Sequence, residues 1–249
     1  MTHAFTIVRD EGFWLPIWVK HYMAQGFSAS ELTVLNNGGP ITGLDERINI
    51  IEVPNPASFQ HEWLKQTVMA QQRLLLRTNH AVVFAECDEF LFHSDMNIYQ
   101  LCQSLQQGES VRATAYSPIQ QPGEAAYVDG PLLANRSIMY RTTMYDKVLV
   151  TTVPLSYCRG FHIAQENQRP PDHRLSMVHM WMFDFDQFWQ RILDRRAAGS
   201  KGFFGADMIE MEARQHFADG FATFVGGYAK KPGDLMTELQ LIPDLFRSL

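Results

Sequence analysis

Cysteine is scarce in this chain: Cys87, Cys102 and Cys158 are the only three among 249 residues. So few, so scattered, build neither a disulfide framework nor a cysteine-ligated zinc site. Positive charge is thin as well. With 21 Lys and Arg against 27 Asp and Glu, the formal charge is −6. Without a basic stripe to meet phosphates, nucleic acid is not the expected partner. The densest basic run, residues 191–201, reads as the polar face and end of a helix. No apolar run reaches the ~20 residues a membrane span needs. The first nine residues lack the basic and apolar regions of a secretory signal. A cytoplasmic protein without a membrane span is the expectation. Neither a P-loop nor a GxGxxG turn occurs, which leaves P-loop and dinucleotide chemistry without support.

What is present suits a folded α/β domain. The 46% hydrophobic and 12% aromatic content is enough to fill a core. Residues 4–8 read as a first strand, followed by a polar junction at Arg9-Asp10-Glu11-Gly12. Residues 13–25 read as a helix, with Pro16 in its first turn and Gly26 closing it. A second strand over 32–35 runs into the turn Asn36-Asn37-Gly38-Gly39-Pro40, and a third over 48–53 stops at Pro54 and Pro56. Ser58 is a candidate cap for a helix over 59–78, with Leu64, Val68 and Leu75 on one face. Strand four spans 82–85, a helix capped by Asp95 spans 96–106, and a further strand spans 111–116.

This alternation predicts a Rossmann-type, mostly parallel sheet in the N-terminal half. Residues 117–175, with Pro118, Pro122, Pro131, Pro154, Pro170 and Pro171, read as a loop-rich, mixed α/β second half. A helix over 186–198 ends at Gly199, and the last fifty residues mix helix and loop. Phe203, Phe204, Phe217, Phe221 and Phe224 suit core packing, or an apolar surface for a partner subunit.

The chemistry concentrates in His80-Ala-Val-Val-Phe-Ala-Glu86-Cys87-Asp88-Glu89-Phe90. A short Val- and Phe-rich strand ends there in three acids within four residues. In an α/β sheet the carboxyl ends of parallel strands open on the ligand crevice. Clustered carboxylates are costly unless something positive neutralises them, and a divalent cation carrying a phosphate is a natural candidate. Strand alternation would send Glu86 and Asp88 to one side, where both could address one ion. Cys87 between them reads as a strand residue facing the core. Arg9 and Glu11 at the first strand's end and Asn36 at the second's would share that crevice, where an arginine and an amide suit a nucleotide. His162 and His179 each follow or lie in a β-like run, as core histidines or as metal ligands beside a carboxylate. Asp129, Glu166 and Asp172 are acids of the loop-rich half, turn residues or a general base.

In order along residues 4–205, these features resemble glycosyltransferases related to families 2 and 92. The resemblance lies in Arg9-Asp-Glu-Gly with Trp18, His21, Tyr22 and Gly26, in Asn36-Asn37-Gly38-Gly39, and in Glu86-Cys-Asp88-Glu89-Phe90-Leu91. It continues through Lys147-Val-Leu-Val and Gly160-Phe161-His162, Val178-His179-Met-Trp ahead of Phe185 and Phe188, and Ser200-Lys201-Gly202. The resemblance implies a GT-A-like fold over residues 1–205, with 206–249 as a helical or loop extension. It implies a nucleotide-sugar donor, a UDP-sugar before others, and manganese or magnesium. The acceptor would be a glycan or small hydroxyl compound in polysaccharide synthesis, and the anomeric centre would invert. By position Asp88 is the implied metal ligand, with Glu86 on ribose or metal and His162 or His179 near the diphosphate. Arg9, Glu11 and Asn36 would meet the nucleotide, and Glu89, Asp129 or Asp172 would be catalytic. Three positions depart from the family pattern: Asp10 replaces its asparagine, while Asn36 and Glu86 each replace an aspartate. A catalytically silent nucleotide- or glycan-binding relative is the alternative reading. A two-metal phosphoesterase ranks last, because only one acidic cluster is present.

Overall fold

Every residue of the first strand, β1 (Thr2–Val8), is enclosed. It lies between two parallel neighbours, and strands covered on both faces read as continuous apolar runs. The computed structural model describes residues 1–54, 60–121, 123–167, 169–197, 210–211, 214, 237–247 and 249. Its described residues divide into two units: those of 1–54, Gln60–Thr114 and Asp146–Met177 form one, while those of Ala115–Tyr145 and Val178–Leu249 form the other.

In the first unit β1 leads through helix α1 (Trp14–Ala24) to β2 (Leu32–Asn36), then to β3 (Asn49–Glu52). Helix α2 (His61–Leu75) follows, then β4 (Ala81–Phe84) and β5 (Glu89–His93). Helix α3 (Ile98–Ser104) precedes β6 (Ser110–Pro118), which enters the second unit in its later half. The strands β3, β2, β1 and β4 pair in parallel in that order, as the alternation predicts. Beyond β4 the pattern changes. β7 (Ile138–Thr142) belongs to the second unit, while β8 (Lys147–Thr151) returns to the first and pairs antiparallel with β4 and with the start of β6. β9 (Asp172–His179) pairs with β5.

Phe5, Ile7, Leu35, Val82, Phe84 and Val148 of the strands pack with Val68 and Met69 of α2 and with Leu155, Tyr157, Phe161 and Ala164. The Gln72 side chain crosses this core. It donates to the Tyr157 hydroxyl at 3.2 Å and accepts from the Leu155 N–H at 2.7 Å. Ser58 and Phe59 lie outside the described residues. The predicted Asp95 cap is corrected: Asn97 caps α3, accepting from the Gln100 N–H at 2.8 Å while Gln100 reaches back to the Asn97 N–H. That reciprocal pair satisfies two orphan donors, which Asp95 could not do from two residues upstream.

In the second unit β7 pairs antiparallel with the end of β6 and with β10 (Thr237–Leu241), and helix α4 (Phe185–Ala197) follows Asp184. Arg136 is fully enclosed here. Its guanidinium donates to the Phe183, Ala125 and Asn135 carbonyls and to Asp184 Oδ2, the last at 2.9 Å. Arg136→Lys keeps the charge but gives up the fork that reaches these carbonyls. A loss of about 2 kcal/mol in unfolding free energy, measured by chemical denaturation, is the expected result. The division expected at residues 205 and 206, Ser200-Lys201-Gly202 and the five phenylalanines from Phe203 to Phe224 lie outside the described residues. Among the described residues no helix is long and apolar enough to cross a membrane.

Candidate functional site

The acidic run lies in the turn that follows the carboxyl end of β4 and is not a continuation of that strand. β4 stops at Phe84, the Glu89 N–H bonds back to the Glu86 carbonyl at 2.9 Å, and β5 begins at Glu89. Strand alternation therefore does not apply to Glu86 and Asp88. Glu86 is about one-third exposed, whereas Asp88 and Glu89 are enclosed. Cys87 is buried, as expected for a core-facing residue.

The positive charge that this cluster requires comes from the chain itself. Lys147 opens β8, the antiparallel neighbour of β4, and its Nζ lies 2.5 Å from Glu86 Oε2 and 2.5 Å from Glu89 Oε1. The second oxygen of Glu89 accepts from the Glu86 N–H at 3.1 Å. Burial draws the ammonium's pKa down, but the two carboxylates outweigh it and hold Lys147 above its usual value. Glu89 is thus an anchor of the turn, with both oxygens engaged.

The same geometry tests the implied metal. An ion on Glu86 would share that carboxylate with an ammonium, a like charge. Among the described residues no three His, Cys, Asp or Glu side chains are grouped to hold an ion. The set Glu86, Asp88, His162 and His179 does not fit a divalent ion resident on protein groups alone.

Beside the acidic turn, the ends of β1 and β2 are joined. Their ladder runs out at Val8 opposite Asn36, and the Asn37 N–H donates to the Val8 carbonyl at 3.0 Å. Asn36 is expended inside the protein. Its Nδ2 donates to the Gly39 carbonyl at 3.0 Å and to the Glu52 carboxylate at 2.9 Å, and its Oδ1 accepts from the Gly38 N–H at 3.1 Å. An aspartate here would face Glu52 with like charge, which accounts for the amide. The neighbouring Asn37 differs. Its Oδ1 is buried and accepts no hydrogen bond from a described residue. Arg9 and Glu11, both half-buried, flank Asp10 at the tip of β1.

The remaining predicted residues lie elsewhere. His162 is half-buried behind Gly160 and Phe161, which have φ of 76° and 61°; the Phe161 ring packs on Phe84 with centroids 4.9 Å apart. Asp172 forms a side-on pair with Arg174, at 2.9 Å from its terminal nitrogen, and that bond holds the Asp172 carboxyl below the usual range. A carboxylate so stabilised is a poor base. The Ser94 N–H to Arg174 carbonyl bond sets Asp172 near the far end of β5, about 15 Å from Glu89 at the strand rise. Glu166 accepts from the Ser156 N–H at 2.6 Å. Asp129, in an exposed turn, and His179, whose ring packs edge-on against Tyr145, belong to the second unit. Sequence reasoning overlooked the roles of Lys147 and Asn37. Lys147 stands 58 residues beyond Glu89, and only the antiparallel return of β8 brings them together.

No family model matches the chain, and no curated protein matches it in sequence. Solved structures with a partial likeness include S. aureus TarS, at a TM-score of 0.39 and 9% identity, covering 94% of this chain and 46% of that one. A shorter form, S. aureus TarS 1-349, gives a TM-score of 0.32 and 9% identity, covering 94% and 76%. The chain spans about half the length of the first. Likeness at this level assigns it to no family.

Proposed function

We propose that the chain is a glycosyltransferase of GT-A type that takes a nucleotide-sugar donor, a UDP-sugar before others, and passes the sugar to a hydroxyl acceptor with inversion. The observation that carries this reading is the convergence of three loops at the carboxyl ends of parallel strands. Arg9 to Glu11 follow β1, Asn36 to Gly39 end and follow β2, and the acidic turn follows β4. A crevice at such ends is where open α/β sheets take nucleotides. Arg9 suits phosphate, and the buried Asn37 acceptor suits an N–H or hydroxyl of the nucleoside. The manganese or magnesium expected from sequence belongs to this reading only as an ion carried in with the diphosphate, held at Asp88.

Calorimetric titration with UDP, GDP and CMP, each with manganese and with EDTA, tests the reading on wild type, Arg9→Ala and Asn37→Leu. One nucleotide binding to wild type, and at least about tenfold more weakly to both variants, is the expected result. If no nucleotide binds to wild type under either condition, the transferase reading has no physical basis. Hydrolysis of the matching nucleotide-sugar then separates a working enzyme from a silent relative.

A further inference from the structure

Asp10 has no assigned part in the site, yet its backbone at the tip of β1 is in an uncommon conformation. Its φ is 56°, in the left-handed region that Asp and Asn tolerate better than most residues. From that conformation its Oδ1 accepts from the Gly39 N–H at 2.6 Å, a charge-assisted bond between the β1 tip and the β2 turn. The approach is close enough to require the glycines. A Cβ on Gly38 would stand 2.6 Å from the Asp10 backbone nitrogen, and one on Gly39 would stand 2.9 Å from Asp10 Oδ1.

We infer that Asp10 is a positioning residue for the nucleotide, clasping the β1 and β2 loops so that Arg9 and Asn37 address one ligand. The inference rests on the nucleotide-binding reading above. The sheet's own ladder ends at Val8 and Asn36, with one further bond from the Asn37 N–H. Beyond that point the Asp10 bond continues the connection between the loops. Left-handed backbone at a non-glycine residue is strain of the kind that persists where the surroundings over-determine it, often at ligand sites. Asp10 is itself exposed, so its bond contributes little to the core and its effect should be seen in binding.

Three substitutions separate the backbone from the carboxylate. Asp10→Asn retains an acceptor and tolerates the left-handed conformation. Asp10→Gly retains the conformation alone, and Asp10→Ala retains neither. Titration with UDP is expected to leave Asp10→Asn within about threefold of wild type and to weaken Asp10→Gly by about tenfold, with Asp10→Ala weaker still. The thermal midpoint of Asp10→Gly should stay within about 2 °C of wild type. For donor turnover, KM should rise while kcat holds. Wild-type affinity in Asp10→Gly overturns the inference. So does a loss of binding matched by a loss of fold in both Asp10→Gly and Asp10→Asn, since Asp10 would then be structural. A wild type that binds no nucleotide overturns the underlying reading instead, so the two failures are distinct.

Discussion

Acidification from pH 7 to pH 4.5 is expected to remove about 5 kcal/mol of folding stability, about half of it above pH 5.5, before most carboxylates begin to titrate. The cause is a pair of histidines in the first unit. His3 on β1 is buried and hydrogen-bonded through Nε2 to Thr33 Oγ1 at 2.7 Å. His21 on α1 is buried among Tyr22, Phe90 and Phe92, and its Nε2 donates to the Leu91 carbonyl at 2.9 Å. Burial brings each pKa down from 6.5 to about 4; the Glu31 carboxylate opposes this for His3, and the bond to Leu91 opposes it for His21. Unfolded, each histidine takes a proton as the pH falls through 6.5; folded, it stays neutral until about 4. Between those values the unfolded chain binds more protons, so stability is retained above 6.5 and falls with pH. The slope is about 1.4 kcal/mol per pH unit for each histidine. His93, also held down first by burial, adds in the same direction. Domains of this kind are stable by roughly 5–15 kcal/mol, so the loss is a large share of the total. Urea midpoints at pH 7.5, 6.5, 5.5 and 4.5 measure it. A His3→Gln/His21→Gln variant should show a much flatter profile, and a wild-type midpoint unchanged from pH 7.5 to 5.5 would refute the account.

The parts of this fold that were legible in sequence are those decided locally. The Ala4 to Val8 run, the Leu32 to Leu35 run and the Val82 to Ala85 run are apolar because both faces are covered, and each forms a strand within a residue or two of its expected limits. Helix α4 likewise follows from its own amphipathic spacing. Partners distant in sequence were not legible. Nothing in Lys147-Val-Leu-Val says that it runs antiparallel beside β4, yet that pairing supplies the cation of the acidic turn. β5 was hidden because Phe90-Leu91-Phe92 directly follows the acids and reads as a continuation of one segment. Asn36 was expected to meet a nucleotide because polar groups at strand ends commonly do. Only the position of Glu52 on β3 shows that its amide is already in use. The Asn97-Gln100 capping box, by contrast, was open to a closer reading of spacing.

Lys147→Met is expected to destabilise the first unit by about 3–5 kcal/mol, lowering its thermal midpoint by about 10 °C. The substitution preserves most of the side chain's volume, so packing alone predicts a small effect. The electrostatics predict a large one. Glu89 has no solvent exposure, and Lys147 Nζ lies 2.5 Å from its Oε1. Losing the ammonium strips a direct ion pair from a buried carboxylate, and breaking such a pair is costly. Glu86 is less affected, because its partial exposure lets water replace the lost partner. The asymmetry gives a specific check. Adding Glu89→Gln to Lys147→Met removes the buried charge and should recover a good part of the loss, while adding Glu86→Gln should recover little. Equal recovery from both, or a Lys147→Met midpoint within about 1 °C of wild type, would show that the lysine does not neutralise the turn. The compensation of the buried Glu89 charge would then come from groups other than Lys147.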